Sequence, residues 1–217
     1  MLEGYRNEFR AVDQAVVKLI GTLGQSRLDL SRRAGKSTPS IVAKLQREKT
    51  LRLSQMQDIA GCRIIVDYLS EQNEIVRRLT RKLPSSSVDD RRLRPSFGYR
   101  AVHVIVKHGG LPYEVQVRTD AQDLWAQLVE KLSDSAYPSL KYGEGPPDLV
   151  AEIMSLSDRE AEFDEAKNRL SRLERANSGA KSSSRALVTP AMVSGAQRLT
   201  DRIARELDSR FEKLGGL

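Results

Sequence analysis

The stretch Gly98–Lys131, GYRAVHVIVKHGGLPYEVQVRTDAQDLWAQLVEK, decides the fold class of this chain. Arg100, Val102, Val104 and Val106 alternate with Ala101, His103, Ile105 and Lys107, the period of two expected of a β-strand. Gly109-Gly110 follows as a two-residue turn, because glycine reaches positive φ without steric cost. The return strand alternates Tyr113, Val115 and Val117 with Glu114, Gln116 and Arg118. With a turn of that length His103 falls opposite Gln116, and Glu114 opposite Ile105, on one polar face. A solvated sheet face usually carries Lys, Thr and Ser. This face carries a His, a Glu, a Gln and an Arg, which together can ligate a metal, move a proton and hold phosphate. Ala121–Leu132 then reads as a helix, with Trp125 and Leu128 at i, i+3 to pack it onto the sheet.

Working outward, Phe9, Val12, Val16 and Leu19 predict a helix over 3–20. A second helix begins near Pro39, with Ser37 or Thr38 as its cap and Ile41, Val42 and Leu45 on its apolar face. Residues 53–58 form a short helix leading into a strand over 59–68, and a helix over 71–83 ends at Pro84. A serine run and Asp89-Asp90 lead into a basic loop before the hairpin. The order predicts an α/β (α+β) fold, a mixed β-sheet flanked by helices. Residues 137–147, rich in Gly and Pro, read as a linker or loop, and two helices follow over 149–177 and 191–214, the second capped by Thr189-Pro190. The expected division is a motif-bearing domain over 1–143 and a helical extension over 144–217, with a flexible break around 178–188. The extension has no chemical motif and is expected to cover the core or to mediate homo-oligomerisation.

The 217 residues allow one sizeable α/β core. No apolar run approaches the ~20 residues needed to span a bilayer, and the amphipathic start of the chain is unlike a signal peptide, so the expected compartment is cytoplasmic. Cys62 is the single cysteine, which excludes an internal disulfide and reads as a buried thiol. The net charge of +7 is uneven. Residues 27–52 hold eight basic against two acidic side chains, and residues 77–94 seven against two, whereas 148–165 holds seven acidic and one basic. The excess lies with the motifs, as a polyanionic substrate or RNA would require.

The residues GYRAVH, EVQVRT and DLWAQLVEKL resemble the nucleotidyltransferase domain of the RelA/SpoT family. Two upstream pieces agree in kind and order: Lys36–Leu45 resembles the family's lysine-containing helix start, and Asp58–Ile64 its Asp-x-x-Gly-x-Arg strand. The resemblance implies a nucleotidyltransferase-type sheet and a short, single-domain synthetase. Its reaction moves the β,γ-diphosphate of ATP to the 3′-hydroxyl of GDP or GTP, giving (p)ppGpp and AMP. Such chemistry needs a divalent metal, cations around the phosphates and a base near the attacking hydroxyl. The implied Mg²⁺ ligands are Asp58 and Glu114, which are also the implied catalytic carboxylates, with Glu114 aiding deprotonation of the acceptor. Lys36, Lys44, Ser40 and Arg63 are implied to meet the donor, three of them near a helix N-terminus, where backbone N–H groups favour anions. Tyr99, His103, Gln116 and Arg118 are implied to form the acceptor side, with Tyr99 stacked on the base.

Bland readings stand beside these. Glu114 also suits a cross-strand ion pair, Tyr99 a packed core tyrosine, and Arg63 a strand arginine paired to Asp67 or Asp90. The chain departs from the family pattern at Ala34, where an arginine is usual, at Phe97 before Gly98, and at Lys131, where a histidine is common. With His103 and His108 as its two histidines, the sequence offers no set for a hydrolase His-Asp metal site. Three acceptors therefore stay open: a guanosine nucleotide or, in a growth-arresting toxin with an antitoxin partner, an adenosine nucleotide or the 3′ end of tRNA. A catalytically inactive nucleotide- or RNA-binding regulatory module is the rival from another class.

Overall fold

The computed structural model describes residues 14, 16–18, 21, 29–33, 38–108, 111–179 and 188–216. The chain is a mixed α/β protein and divides into two compact units. The first comprises residues up to Asp67 together with Glu71–Arg94 and Ala101–Arg118, and the second Tyr68–Ser70, Pro95–Arg100 and the chain from Thr119 onward.

The first unit is built on a five-stranded sheet in the order β1-β2-β5-β4-β3. Its strands are β1 (Asp29–Arg33), β2 (Gly61–Val66), β3 (Ser86–Asp90), β4 (Val102–His108) and β5 (Leu111–Thr119). The hairpin has the expected register, with His103 opposite Gln116 and Ile105 opposite Glu114; its turn, Gly109-Gly110, lies outside the described residues. One face of the sheet is apolar and closes a core. Cys62, Ile64 and Val66 from β2, Val104 and Val106 from β4, and Tyr113, Val115 and Val117 from β5 pack there with Ile75 and Leu79 of helix α2 (Leu69–Lys82). Each such side chain contributes on the order of 1.5–3 kcal/mol by leaving water. Val16, fully buried, joins this core from the predicted N-terminal helix. Gln72 is the one polar side chain α2 buries, and it is satisfied: its Nε2 donates to Val117 O at 2.8 Å and its Oε1 accepts from Arg92 at 2.9 Å.

Two strands escaped the sequence reading. β3 is the serine run SSVDD and β1 the charged DLSRR, neither with apolar alternation. Pairing makes them strands, β3 antiparallel to β4 from Ser86↔Val106 to Asp90↔Val102 and β1 antiparallel to β2 from Asp29↔Ile65 to Arg33↔Gly61. Tertiary context overrides β-propensity readily because propensity largely measures packing against neighbours. The short helix over 53–58 is a single 3₁₀ turn, Leu53–Gln55. The strand after it begins at Gly61, since Ile59 packs with Met56 and with Ile41 of helix α1 (Thr38–Arg47).

The second unit is helical: α3 (Asp120–Ser135), α4 (Pro147–Gly179) and α5 (Pro190–Gly215). Thr119 caps α3, its Oγ1 accepting from Gln122 N at 3.2 Å while Gln122 Oε1 accepts from Thr119 N at 3.2 Å, a reciprocal capping box. Thr189 caps α5 as expected. Trp125 and Leu128 do not belong to the sheet core as predicted. With Ala126, Val129 and Leu132 they form a wide apolar stripe that packs with Ile153 and Leu156 of α4 and Ile203, Leu207 and Leu214 of α5. The two C-terminal helices thus share a core with α3. The loop 137–147 is packed in part, with Leu140 fully buried. Lys131 Nζ donates to Gly215 O, so it caps the carbonyl end of α5. No helix among the described residues is long and apolar enough to cross a membrane.

Candidate active site

The polar face of the hairpin lies in the first unit and is buried. His103, Glu114, Gln116 and Arg118 are 3%, 7%, 6% and 3% exposed. Period-two alternation puts all four opposite the apolar core, and the β2 pattern puts Gly61, Arg63 and Ile65 on that same face. Arg118 Nη2 donates to Gln116 Oε1 at 3.0 Å, and Gln116 Nε2 donates to Glu114 Oε2 at 2.6 Å. Because a guanidinium only donates, Arg118 fixes which way the Gln116 amide points. His103 Nδ1 approaches Glu114 Oε1 at 2.9 Å, an ion-pair contact when the ring is protonated.

Burial by itself raises the Glu114 carboxyl pKa. His103 and the Gln116 amide pull the other way, and together they leave it below the usual range, with the Asp58 charge opposing them. Glu114 is therefore a carboxylate at neutral pH and lies near enough to Asp58 to feel its charge. Asp58 stands in the turn before β2 and is half-buried. It receives Lys44 Nζ of α1 at 3.0 Å. A pocket is lined by Asp58, Ile59, Ala60, Gly61, Cys62, Glu114 and Gln116.

Gly61 explains how the two carboxylates come to share that pocket. A Cβ at Gly61 would lie 2.2 Å from the Glu114 carbonyl oxygen. Only glycine lets β2 approach β5 this closely, and Glu114 N donates to Ala60 O at 3.0 Å across the approach. The pair suits a hard divalent cation: two oxygen donors of like charge, one already partly neutralised by a lysine, facing one small pocket. Mg²⁺ commonly takes one or two carboxylates and completes its shell with water and substrate phosphate.

Of the predicted donor residues, Lys44 meets Asp58, Ser40 lies exposed in the first turn of α1, and Arg63 is half-buried in β2 opposite Ser31. Asp90, offered as a partner for Arg63, receives Arg92 at 2.6 Å. Lys36 and Ala34 lie outside the described residues. Tyr99 belongs to the second unit, half-buried against the Trp125 core. Phe97 beside it is 48% exposed and takes a left-handed φ of 51°, costly for a bulky residue. Its ring lies over Gly143, itself at φ 78°, where a Cβ would be 2.2 Å from the ring. No pattern in the sequence marked Gly143 as the floor for Phe97.

A sequence model of the region found in RelA / SpoT proteins matches residues 32–138. An uncharacterized protein of Mycobacterium tuberculosis is 38% identical over 122 residues, as is one of Mycobacterium bovis. That match covers 55% of this chain and 45% of each relative, so the chain spans about half the length of the curated relatives it matches. Among solved structures, the small alarmone synthetase 1 of Bacillus subtilis is similar with a TM-score of 0.59 and 27% identity, covering 78% of this chain and 95% of that one. The same enzyme bound to its product pppGpp is similar with a TM-score of 0.61 and 25% identity, over the same shares.

Proposed function

With residues 32–138 belonging to the RelA/SpoT family, we propose that this protein is a pyrophosphokinase that transfers the β,γ-diphosphate of ATP to the 3′-hydroxyl of GDP or GTP. The acceptor oxygen attacks the β-phosphorus, the bond between that phosphorus and the α,β-bridging oxygen breaks, and AMP leaves with the electron pair while the acceptor hydroxyl gives up its proton. One observation carries the reading: Glu114, buried yet kept ionised by His103 and Gln116, shares a small pocket with Asp58. A protein that only bound nucleotide would gain nothing from setting a buried and a half-buried acid where phosphates must sit.

Asp58 and Glu114 are the residues that would hold Mg²⁺, which when bound supplies positive charge to the transferring phosphates. Lys44, whose Nζ contacts Asp58 at 3.0 Å, would neutralise donor phosphate charge. A carboxylate held below its usual pKa is a good ligand and a weak base. Glu114 therefore acts chiefly by ligation and by orienting the acceptor hydroxyl. Within the first unit, His103 and Gln116 hold Glu114 in place and Arg118 orients the Gln116 amide; in the second unit, Tyr99 is the residue we assign to the acceptor base. The Bacillus subtilis enzyme crystallised with pppGpp supports a guanosine nucleotide as the acceptor.

The test is incubation of the protein with Mg²⁺ and γ-³²P-ATP, adding GDP, GTP, no acceptor, or bulk tRNA. Label in guanosine tetra- or pentaphosphate is expected. Label on tRNA alone would make the protein a toxin with the same chemistry on another acceptor. No labelled product from folded protein would leave the binding-module reading.

A further inference from the structure

One buried hydroxyl holds the chain on both sides of Tyr99. Ser157, in α4 and 0% exposed, donates its Oγ to Gly98 O at 2.5 Å and accepts from Arg100 Nε at 3.0 Å. Arg100 Nη2 continues to Asp158 Oδ1 at 2.7 Å. Gly98 lies flat against the same wall. At its φ of 87° a Cβ would meet Trp125 Cζ2 at 2.7 Å and Ser157 Cβ at 3.3 Å. Trp125 is itself fixed, its Nε1 donating to Ile153 O at 2.8 Å. Ile153 and Ser157 lie about one turn apart on α4 and Asp158 follows Ser157, so one stretch of α4 holds the residue before Tyr99 and the residue after it.

The chemistry at position 157 is specific. A side chain that both donates to a carbonyl and accepts from a guanidinium at one small atom must be a hydroxyl. Ile153 and Leu156, the buried positions of α4 just before it, are apolar, whereas Glu160 and Asp164 further along are buried and polar. A buried polar group needs partners, and the partners of Ser157 are the carbonyl of Gly98 and the Arg100 guanidinium.

We propose that Ser157 is a positioning residue for acceptor binding: it sets the backbone on either side of Tyr99, so that the ring arrives ready to stack on the acceptor's nucleobase. The proposal rests on the pyrophosphokinase reading and deepens it by giving α4, which carries no catalytic motif, a part in acceptor selection. Its substrate class is a nucleotide with an aromatic base, presented as a 3′-hydroxyl acceptor. The donor, ATP, is met by other residues, so the effect falls on one substrate.

The test compares wild-type protein with Ser157→Ala and Ser157→Thr by three readouts: hydrogen exchange over residues 96–100, GTP affinity by calorimetry without ATP, and KM for each substrate. Ser157→Ala is expected to speed exchange at 96–100 while α3 and α5 keep their protection. It is also expected to weaken GTP binding and raise the acceptor KM about tenfold, the cost of two buried hydrogen bonds. The KM for ATP and the kcat at saturating acceptor should stay within about twofold. Ser157→Thr, which keeps the hydroxyl, should recover most of the loss. Unchanged exchange, or an equal rise in both KM values, overturns the proposal, since a merely structural serine would move both or neither. Wild-type protein that neither binds GTP nor transfers label overturns the pyrophosphokinase reading and the proposal with it. A wild-type protein that does both, matched by Ser157→Ala, overturns the proposal alone.

Discussion

His103 and Glu114 meet diagonally across the hairpin, Nδ1 to Oε1 at 2.9 Å, although neither is the other's register partner. Directly opposite His103 is Gln116, which donates to the other Glu114 oxygen at 2.6 Å along its own strand. Both carboxylate oxygens are thus engaged from different directions, and a side chain with only 7% exposure is kept charged. Diagonal neighbours on a twisted antiparallel pair lie about 7–8 Å apart at the backbone, a span that an imidazole and a carboxylate can close.

Replacing Glu114 by Gln or Asp58 by Asn should lower turnover by at least about 100-fold, in the range seen when one electrostatic contact to a transferring group is lost. Circular dichroism should show both variants folded, because each substitution keeps the side chain's shape. Full activity in either variant would remove that carboxylate from the site.

Gly61→Ala should damage stability and site together. The added methyl would sit 2.2 Å from the Glu114 carbonyl oxygen, a backbone atom that cannot swing aside. A loss of about 2–4 kcal/mol is expected, read as a Tm lower by roughly 5–15 °C for a chain of this size. An unchanged Tm would show that β2 and β5 can separate without cost.

Lys44→Met should raise the KM for ATP about tenfold while leaving the acceptor KM close to wild type, as loss of one charge-assisted contact to phosphate predicts. Its half-buried ion pair with Asp58 is worth little by itself, so the Tm should move by only a few degrees. A raised acceptor KM with an unaltered ATP KM would reassign Lys44.

Asp164 gives the helical unit a pH dependence. It is buried on α4, accepts from Thr119 Oγ1 at 2.6 Å and Gln122 Nε2 at 3.3 Å, and has Lys167 and Asp120 as charged neighbours. Burial outweighs the two hydrogen bonds and Lys167, and pushes its carboxyl from 3.8 up to about 7. The folded state then holds a proton that the unfolded state releases, so stability falls as pH rises between about 4 and 7. The full effect is on the order of 4 kcal/mol. Asp164→Asn should flatten that slope in denaturant titrations at pH 5 and pH 7; an unchanged slope would show that another group carries it.

The sequence determined the hairpin, its register and the side chains of its polar face, because alternation of period two leaves a strand with one core face no other choice. Its resemblance to a known family singled out Asp58 and Glu114 as candidate metal ligands, and its turn and capping preferences, which are local, placed the cap at Thr189. The tertiary structure decided the rest. Ser86–Asp90 and Asp29–Arg33 are strands because β4 and β2 pair with them, and no local pattern announces a partner. Trp125 and Leu128 showed a helical face in sequence but not what covers it, which three helices settle by packing. The glycine of Asp58–Arg63 was visible as a letter, while its reason, a carbonyl of another strand 2.2 Å from any Cβ, exists only once β2 lies beside β5. The hold of Ser157 on Gly98 and Arg100 joins residues almost 60 apart in the chain, and a contact of that separation leaves no trace in either segment alone.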